Sequence, residues 1–321
     1  MRSRRSKPVA GAARDADGPA APRDAGSDLI TRAESLITKL ETALSVETRE
    51  TDWQASIAFR WRKRHSAGVI EPVTHVHRIS LRDLQGIDDQ KRVVEENTRQ
   101  FVQGLPANNV LLTGARGTGK SSLIKALLHK YAPKGLRLIE VEKQDLVDLP
   151  DIVDQIAGRP ERFILYCDDL SFEADEPGYK ALKVVLDGSV AAASENCLIY
   201  ATSNRRHLMP EYMHENLEYR HVGEEIHPGE TSEEKISLSE RFGLWVSFYS
   251  FDQDEYLKIV DVWINHFGVP GAGTEAAHKA ALQWSLSRGS RSGRVAWQFA
   301  RDWAGKQGLR AEGGGRKGQR P

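Results

Sequence analysis

A glycine-rich turn between an apolar run and a helical pattern is the feature that most constrains the fold of this chain. Residues 109–113 are mostly apolar, residues 114–121 read Gly-Ala-Arg-Gly-Thr-Gly-Lys-Ser, and apolar side chains then recur at helical spacing from Leu123 to Leu128. This is the pattern G-x-x-x-x-G-K-S in its required order of strand, loop and helix. Its glycines let the backbone N–H groups wrap around anionic oxygens, and the helix N-terminus adds a favourable dipole. The pattern therefore predicts a nucleotide-phosphate site on an α/β sheet.

The side chains of this loop have separate predicted roles. Lys120 is expected to reach the β- and γ-phosphates of ATP or GTP, and the Ser121 hydroxyl is expected to bind Mg²⁺. A flexible surface loop is the alternative, but the flanking strand and helix patterns disfavour it. The predicted nucleotide-binding residues are Gly114, Ala115, Arg116, Gly117, Thr118, Gly119, Lys120, Ser121 and Ser122.

Composition excludes several other classes of protein. Lys and Arg number 45 and Asp and Glu also number 45, so no global charge requires nucleic acid or a membrane surface as partner. Cys167 and Cys197 both lie in apolar runs, which is typical of reduced core residues rather than of a disulfide or metal site. No apolar run reaches the length of a membrane span, and the basic N-terminus lacks the apolar part of a secretory signal. We therefore predict a cytoplasmic protein with no membrane partner.

Changes in composition and periodicity divide the chain into five predicted segments. Residues 1–26 and 308–321 lack apolar periodicity and are predicted to be disordered tails. Residues 27–80 are predicted to form an N-terminal helical region, because apolar residues recur at helical spacing near its start. Residues 81–250 alternate strand and helix patterns, and residues 251–307 hold three helical patterns that form a lid. The predicted fold is an α/β P-loop parallel sheet with helices on both faces.

The elements of that sheet follow from the same patterns. Helices are predicted near residues 90–101, 121–131, 149–156 and 179–186. Strands are predicted near residues 136–141, 163–167, 198–202 and 244–248, in addition to the strand before the loop.

Aromatic and basic residues interleave between Trp53 and Arg64. This pattern is compatible with a nucleic-acid surface, on which bases stack between cationic side chains. It is also compatible with an amphipathic helix that docks its aromatics on the core and keeps its Arg head groups in water. We favour the helix.

Polar side chains end two further apolar strands. Asp168 and Asp169 follow the strand at 163–167, and Asn204 follows the strand at 198–202. Asp168 is predicted to hold Mg²⁺ through water, and Asp169 to polarise the attacking water. Asn204 is predicted to bind that water or the γ-phosphate, since parallel strands open on one ligand-binding edge; a capping Asn is the alternative. The extra strand between the loop and the two acids indicates the NTPase group with an inserted strand and a carboxylate base.

These motifs resemble those of the AAA+ ATPases, in which the corresponding positions are called Walker A, Walker B and sensor 1. Over residues 53–303 the chain looks most like an uncharacterised bacterial family of AAA+ ATP-binding proteins, a domain-of-unknown-function group. The segments that carry the resemblance are Leu112–Leu123, Cys167–Phe172, Tyr200–Leu208, His227–Glu230 and Ser237–Trp245. The resemblance implies assembly as a ring or filament, with ATP and Mg²⁺ as cofactors.

The resemblance also implies two arginines at the γ-phosphate. Arg241 lies in a segment similar to the box that carries the arginine finger of replication initiators, and it would reach a neighbour's site; a surface salt bridge is the alternative. In the lid, Arg291 best fits the sensor 2 position, and Arg294 competes with it. Asp169 stands where most AAA+ proteins have Glu, and its shorter side chain is compatible with slow, switch-like hydrolysis.

The predicted function is that of an AAA+ ATPase that binds and hydrolyses Mg-ATP as a homo-oligomer and remodels an unknown protein or nucleic-acid client. Two alternatives remain: a DNA-transaction loader or initiator-like ATPase, and a non-hydrolysing ATP-dependent binding switch. The acidic, His-containing insert at residues 211–234 is interpreted as a partner-facing or intersubunit loop rather than a metal site.

Overall fold

The computed structural model describes residues 30, 32–36, 51–64, 67–172, 176–187, 195–204, 220–222, 225–227 and 240–315. The chain divides into two compact units, residues 1–49 and residues 50–321. Within the first unit, residues 30 and 32–36 are helical, as their periodicity predicts. The tail predicted at residues 1–26 and most of the insert at 211–234 lie outside the described residues.

Within the described residues, seven strands of the second unit form one sheet, and six of them run parallel. In chain order the sheet strands are β1 (Ala58–Arg64), β2 (Ala67–Pro72), β3 (Val110–Gly114), β4 (Leu136–Glu140), β5 (Arg162–Cys167), β6 (Cys197–Ser203) and β9 (Leu244–Phe248). Their spatial order is β2-β1-β4-β5-β6-β3-β9, with β2 antiparallel to β1. Strands β7 (Arg220–Val222) and β8 (Glu225–His227) pair separately. Strand β6 therefore lies between the strands that carry the glycine-rich loop and the paired acids.

Helices cover both faces of this sheet. They are α1 (Asp88–Val102), α2 (Lys120–Tyr131), α3 (Leu149–Ile156), α4 (Pro177–Asp187), α5 (Gln253–His266), α6 (Glu275–Ser287) and α7 (Gly293–Gly315). Successive strand residues point to opposite faces, so Leu112 joins the core beneath α1, α2 and the lid helices, whereas Leu111 joins the core beneath α3 and α4. The predicted parallel sheet with helices on both faces and a helical lid is confirmed.

The predicted helical region at residues 27–80 is wrong for residues 58–64 and 67–72, which form β1 and β2. The sheet thus begins at Ala58 and not near residue 81. Phe59 and Trp61 are buried and alternate with Arg60 and Arg62, which is the period of two expected of a strand. The aromatic side chains do enter the core, but from a strand and not from an amphipathic helix.

Glycine on β2 accommodates the larger of these aromatics. A Cβ atom built at Gly68 would lie 1.8 Å from the ring of Trp61, so no other residue fits there without moving the indole. The Trp61 indole N–H donates to Asp148 at 3.0 Å, which satisfies its polar atom inside the core.

The basic residues of β1 are paired with carboxylates. The ion pairs are Arg60 with Glu140 at 2.6 Å, Arg62 with Glu142 at 2.8 Å, Lys63 with Asp148 at 2.9 Å and Arg64 with Glu71 at 2.5 Å. The charge of these cations is therefore already balanced by neighbouring carboxylates, which weakens the interpretation of this segment as a nucleic-acid surface.

The predicted disordered tail at residues 308–321 is wrong for residues 308–315, which continue α7 to Gly315. The helix is anchored by packed turns that include Ala296, Phe299 and Ala300. Once such a helix exists, each further residue adds one backbone hydrogen bond without a new nucleation step. Residues 316–321 lie outside the described residues.

Candidate functional site

The glycine-rich loop joins β3 to α2 in a conformation that requires glycine. Gly114, Gly117 and Gly119 have φ angles of 124°, 75° and 104°, in the region that side chains with a Cβ rarely adopt. A Cβ at Gly114 would also lie 1.9 Å from the carbonyl oxygen of Phe248 on β9. The Thr118 hydroxyl donates to the Ala115 carbonyl at 2.8 Å and braces the loop. The strand, loop and helix thus occur in the order that the sequence predicts.

Lys120 begins α2, and its ammonium group is held inside the loop. Nζ donates to the carbonyl oxygens of Gly114 at 2.7 Å and Ala115 at 2.8 Å, and to Oδ1 of Asn204 at 3.1 Å. The residue is only 6% exposed. Burial lowers the pKa of Lys120, while the nearby Asp168 and Asp169 carboxylates oppose that shift. The loop therefore holds a largely buried positive charge close to the Asp168 and Asp169 carboxylates.

Ser121 and Asp168, the predicted metal pair, are in direct contact. The Ser121 hydroxyl donates to Oδ1 of Asp168 at 2.8 Å, and the Thr202 hydroxyl donates to the same oxygen at 2.5 Å. Burial acts to raise the pKa of Asp168, but the Thr202 and Ser121 hydroxyls that donate to it act in the opposite direction, and its pKa lies below the ordinary value. An ionised carboxylate beside a hydroxyl oxygen is a donor set that fits Mg²⁺, which binds few protein oxygens and keeps several waters.

Asp169 and Asn204 meet at the ends of β5 and β6. Among the residues that the structure describes, Asp169 is the one non-glycine residue with positive φ, at 52°. Its backbone N–H donates to the Thr202 hydroxyl at 2.9 Å, and its Oδ1 accepts from the Asn204 amide. Arg116 approaches its other oxygen to 4.0 Å. Asn204 therefore uses its carbonyl on Lys120 and its amide nitrogen on Asp169, which joins the loop to the acid.

The lid contacts the loop through the start of α7. The Gly293 N–H donates to the Gly117 carbonyl at 2.9 Å, and a Cβ at Gly117 would lie 2.8 Å from Oγ of Ser292. Of the two candidate lid arginines, Arg294 lines the cleft above the loop, whereas Arg291 lies outside that lining. The arginine that lines the cleft is therefore Arg294, the second of the two that the resemblance offers for the sensor 2 position.

Arg241 does not belong to this cluster. It forms an ion pair with Asp187 at the end of α4 and lies outside the residues that line the cleft. The described structure therefore brings together Lys120, Ser121, Asp168, Asp169 and Asn204 in one chain, and leaves Arg241 elsewhere on the same chain.

The cleft above the loop holds about 690 Å³ and has one apolar wall that the sequence analysis missed. Its members come from the segment before α1 and from the lid, and they share no local motif that would have marked them. The apolar and aromatic residues of this wall are Ile79, Leu84, Ile87, Phe251, Ile259, Trp263 and Trp297. A cleft lined by a glycine-rich loop and by apolar and aromatic side chains suits a nucleotide, whose base has two flat apolar faces.

Among the residues that the structure describes, no helix combines the length and apolarity needed to cross a membrane. No group of three or more His, Cys, Asp and Glu side chains in those ranges could hold a metal ion.

The sheet and the cleft define the class of this protein. A parallel sheet in which a strand ending in Asn lies between a phosphate-loop strand and an acid-tipped strand, followed by lid helices, is the AAA+ P-loop ATPase fold. The chain belongs to the family described as Protein of unknown function (DUF815), whose model matches residues 54–307.

Several solved structures are similar to this chain at low sequence identity. The Orc1 protein of Aeropyrum pernix, solved in complex with DNA, is 15% identical, with a TM-score of 0.51 over 71% of this chain and 61% of that one. A mutant of RuvB from Thermotoga maritima is 16% identical, with a TM-score of 0.47 over 70% of this chain, and the match spans only 64% of the RuvB chain. A chain of the E. coli MS115-1 HORMA:CdnC:Trip13 complex is 12% identical, with a TM-score of 0.44 over 69% of this chain and 90% of that one.

Proposed function

We propose that this AAA+ protein binds Mg-ATP, hydrolyses it as a homo-oligomer, and uses the cycle to remodel or switch a protein or nucleic-acid partner. One observation carries the proposal. The Asn204 side chain links Lys120 to Asp169, while Ser121 and Asp168 form a hydroxyl–carboxylate pair beside them. Groups for phosphate binding, metal binding and water activation are thus connected by hydrogen bonds within one cleft.

The loop and the residues beside it have separate proposed roles in binding Mg-ATP. The loop N–H groups bind the phosphate oxygens, and Lys120 exchanges its bonds to the Gly114 and Ala115 carbonyls for the β- and γ-phosphates. Ser121 and Asp168 would hold Mg²⁺, which neutralises phosphate charge when bound. Their prior hydrogen bond positions both oxygens before the ion arrives.

Asp169 is the proposed general base. Its side chain is 57% exposed and therefore open to a water molecule at the cleft. Asn204 orients the carboxylate, which would take a proton as the water oxygen attacks the γ-phosphorus in line. Arg294 would stabilise the charge that builds on the γ-phosphate from within the same chain.

Features outside the cleft support a homo-oligomer and a cytoplasmic location. Arg241 lies away from its own cleft, which supports a trans role in a neighbouring subunit of a homo-oligomer. Cys167 and Cys197 are both free, which supports a reducing, cytoplasmic location. A DNA loader has two supports in the sequence, the Asp168-Asp169 pair and the basic residues of β1. We do not propose this function, because the basic residues are paired with carboxylates and the two acids alone do not imply DNA binding.

Two matched variants test the proposal. Lys120→Ala is expected to abolish binding of a fluorescent ATP analogue, because the loop loses its one buried ammonium. Asp169→Asn is expected to bind the analogue as wild type does and to lose phosphate release, because an amide cannot take the proton. Wild-type turnover in Asp169→Asn would refute the assignment of the base. A wild-type protein that binds ATP and releases no phosphate would instead be the non-hydrolysing switch.

A further inference from the structure

Tyr166 carries a buried hydroxyl for which the fold provides no hydrogen bond. The residue lies in β5, two positions before Asp168, and is 1% exposed. Asp168 directly follows the end of that strand, and the Tyr166 hydroxyl lies close to its carboxylate. In the described part of the chain its hydroxyl makes no hydrogen bond, although Ser121, Thr202 and Asp168 surround it. Leaving a buried hydroxyl unpaired is unfavourable, and native structures rarely do so.

The neighbouring strand shows that this fold can satisfy a tyrosine at the same depth. Tyr200 is the cross-strand partner of Tyr166 and is fully buried. Its hydroxyl accepts from the Asn97 amide at 3.2 Å and pairs with the Thr98 hydroxyl at 2.9 Å. A phenylalanine at position 166 would fill nearly the same volume and leave no unpaired atom. The hydroxyl of Tyr166 therefore has no role in the packing of the core.

The surroundings of that hydroxyl point to the metal pair. Three hydroxyls, those of Ser121, Thr202 and Tyr166, converge on Asp168, and two of them already donate to its Oδ1. When the Ser121 oxygen and the carboxylate turn towards a bound ion, a donor beneath the carboxylate becomes useful. A hydrogen bond from O–H to a carboxylate is charge-assisted and therefore strong.

We propose that Tyr166 is a positioning residue that donates a hydrogen bond to Asp168 when Mg-nucleotide is bound, and so holds the carboxylate in its metal-binding orientation. This inference rests on the proposed function of the cleft. Mg²⁺ demands near-octahedral geometry, so a carboxylate free to rotate binds it poorly. Outer partners that fix a ligand typically contribute 10–100-fold to metal affinity.

The test compares Tyr166→Phe with the matched control Tyr200→Phe in the full chain. Two quantities are measured for each protein: the thermal midpoint without nucleotide, and the affinity for a fluorescent, non-hydrolysable ATP analogue in EDTA and across a Mg²⁺ titration. For Tyr166→Phe we expect an equal or higher midpoint, unchanged affinity in EDTA, and a Mg²⁺ half-saturation raised by about 10-fold. For Tyr200→Phe we expect a lower midpoint and a wild-type Mg²⁺ half-saturation.

The possible results distinguish a failure of this inference from a failure of the proposed function on which it rests. A wild-type Mg²⁺ half-saturation in Tyr166→Phe overturns the inference alone. A midpoint that falls as far as that of Tyr200→Phe also overturns it, because the hydroxyl is then structural. If the wild-type protein shows no Mg²⁺-dependent binding of the analogue, the proposed function fails, and the inference fails with it.

Discussion

Asp169 holds its carboxylate at the cleft from a backbone conformation that is unfavourable for most residues. Its φ of 52° lies in the left-handed region, which costs a residue with a Cβ about 1 kcal/mol. Asp tolerates this region better than most residues, because short polar side chains bond locally. The Thr202 hydroxyl accepts its N–H and stabilises the conformation. The chain thus keeps a strained residue at the position where the proposed chemistry needs a carboxylate.

Because of this strain, replacing Asp169 with glycine should have opposite effects on stability and activity. Asp169→Gly should raise the free energy of unfolding by about 0.5–1 kcal/mol, because glycine adopts this conformation freely. The same variant should lose phosphate release, because the base is gone. Urea denaturation and a phosphate-release assay measure the two effects.

The control at this position is Asp169→Ala, which removes the carboxylate but retains a Cβ. It should be as inactive as Asp169→Gly and less stable than it. Equal stability of the two variants would show that the left-handed conformation is not a source of strain.

At the scale of elements, the phosphate loop and the lid helix α7 meet through glycine. Gly117 has no side chain, so the lid helix can approach closely, and the Gly117 carbonyl accepts a hydrogen bond from the Gly293 N–H at 2.9 Å. This close approach brings Arg294 to the cleft. The loop's binding conformation and the position of the lid are therefore linked at one contact.

Gly117→Ala should break that link. The new Cβ would meet Ser292 at 2.8–2.9 Å, from a backbone with φ of 75°. We expect a loss of stability of about 1–2 kcal/mol from the backbone alone and at least 10-fold weaker binding of ATP, since the loop and the lid must both shift. Calorimetric titration with a non-hydrolysable ATP analogue measures the affinity.

Gly135→Ala is the matched control for this substitution. Gly135 has a similar φ of 88°, and no atom of the described chain lies within 4 Å of a Cβ built there. It should lose a comparable amount of stability and keep wild-type affinity. If both variants bind equally well, the contact between loop and lid does not control the nucleotide.

The strands and the residues at their ends show how much of the site could be predicted from the sequence. Lys120, Asp168 and Asn204 were found because each follows its own strand, and the parallel sheet brings strand ends to one edge. Strand β1 was missed because Phe59 and Trp61 sit among arginines, a pattern that helical and strand spacing both fit over so short a run. The period of two, from Phe59 to Arg62, was the signal that could have found it.

Other features depended on contacts that are not local in the sequence. The lining of the cleft includes both Ile87 and Trp263, which are far apart in the sequence, and nothing near either residue marks it as part of one site. Arg291 and Arg294 stand three residues apart, so only the start of α7 at Gly293 decides which one faces the loop. The unpaired hydroxyl of Tyr166 is a property of the packed core and has no signature in the chain.

At the scale of the whole molecule, Arg241 and Arg291 of the predicted site lie outside the residues that line the cleft, and Arg241 belongs to a different part of the chain. Arg241 pairs with Asp187 at the end of α4, away from the cleft of its own chain. The lysine, the hydroxyl, the two carboxylates and Arg294 are supplied in cis. A heterologous assembly, in which the same surface repeats from subunit to subunit, would bring each Arg241 to the next cleft.

Mixing two inactive proteins tests this arrangement. Arg241→Ala should bind ATP as tightly as wild type and lose turnover by about 10³-fold, because an arginine finger acts on the transition state. Lys120→Ala should bind no ATP but still carry Arg241. In an equal mixture about a quarter of the interfaces then pair an intact Lys120 with an intact Arg241, so phosphate release should return to a measurable fraction of the wild-type rate. A mixture that stays inactive while the subunits co-assemble, or an Arg241→Ala protein that turns over at the wild-type rate, would place the finger elsewhere.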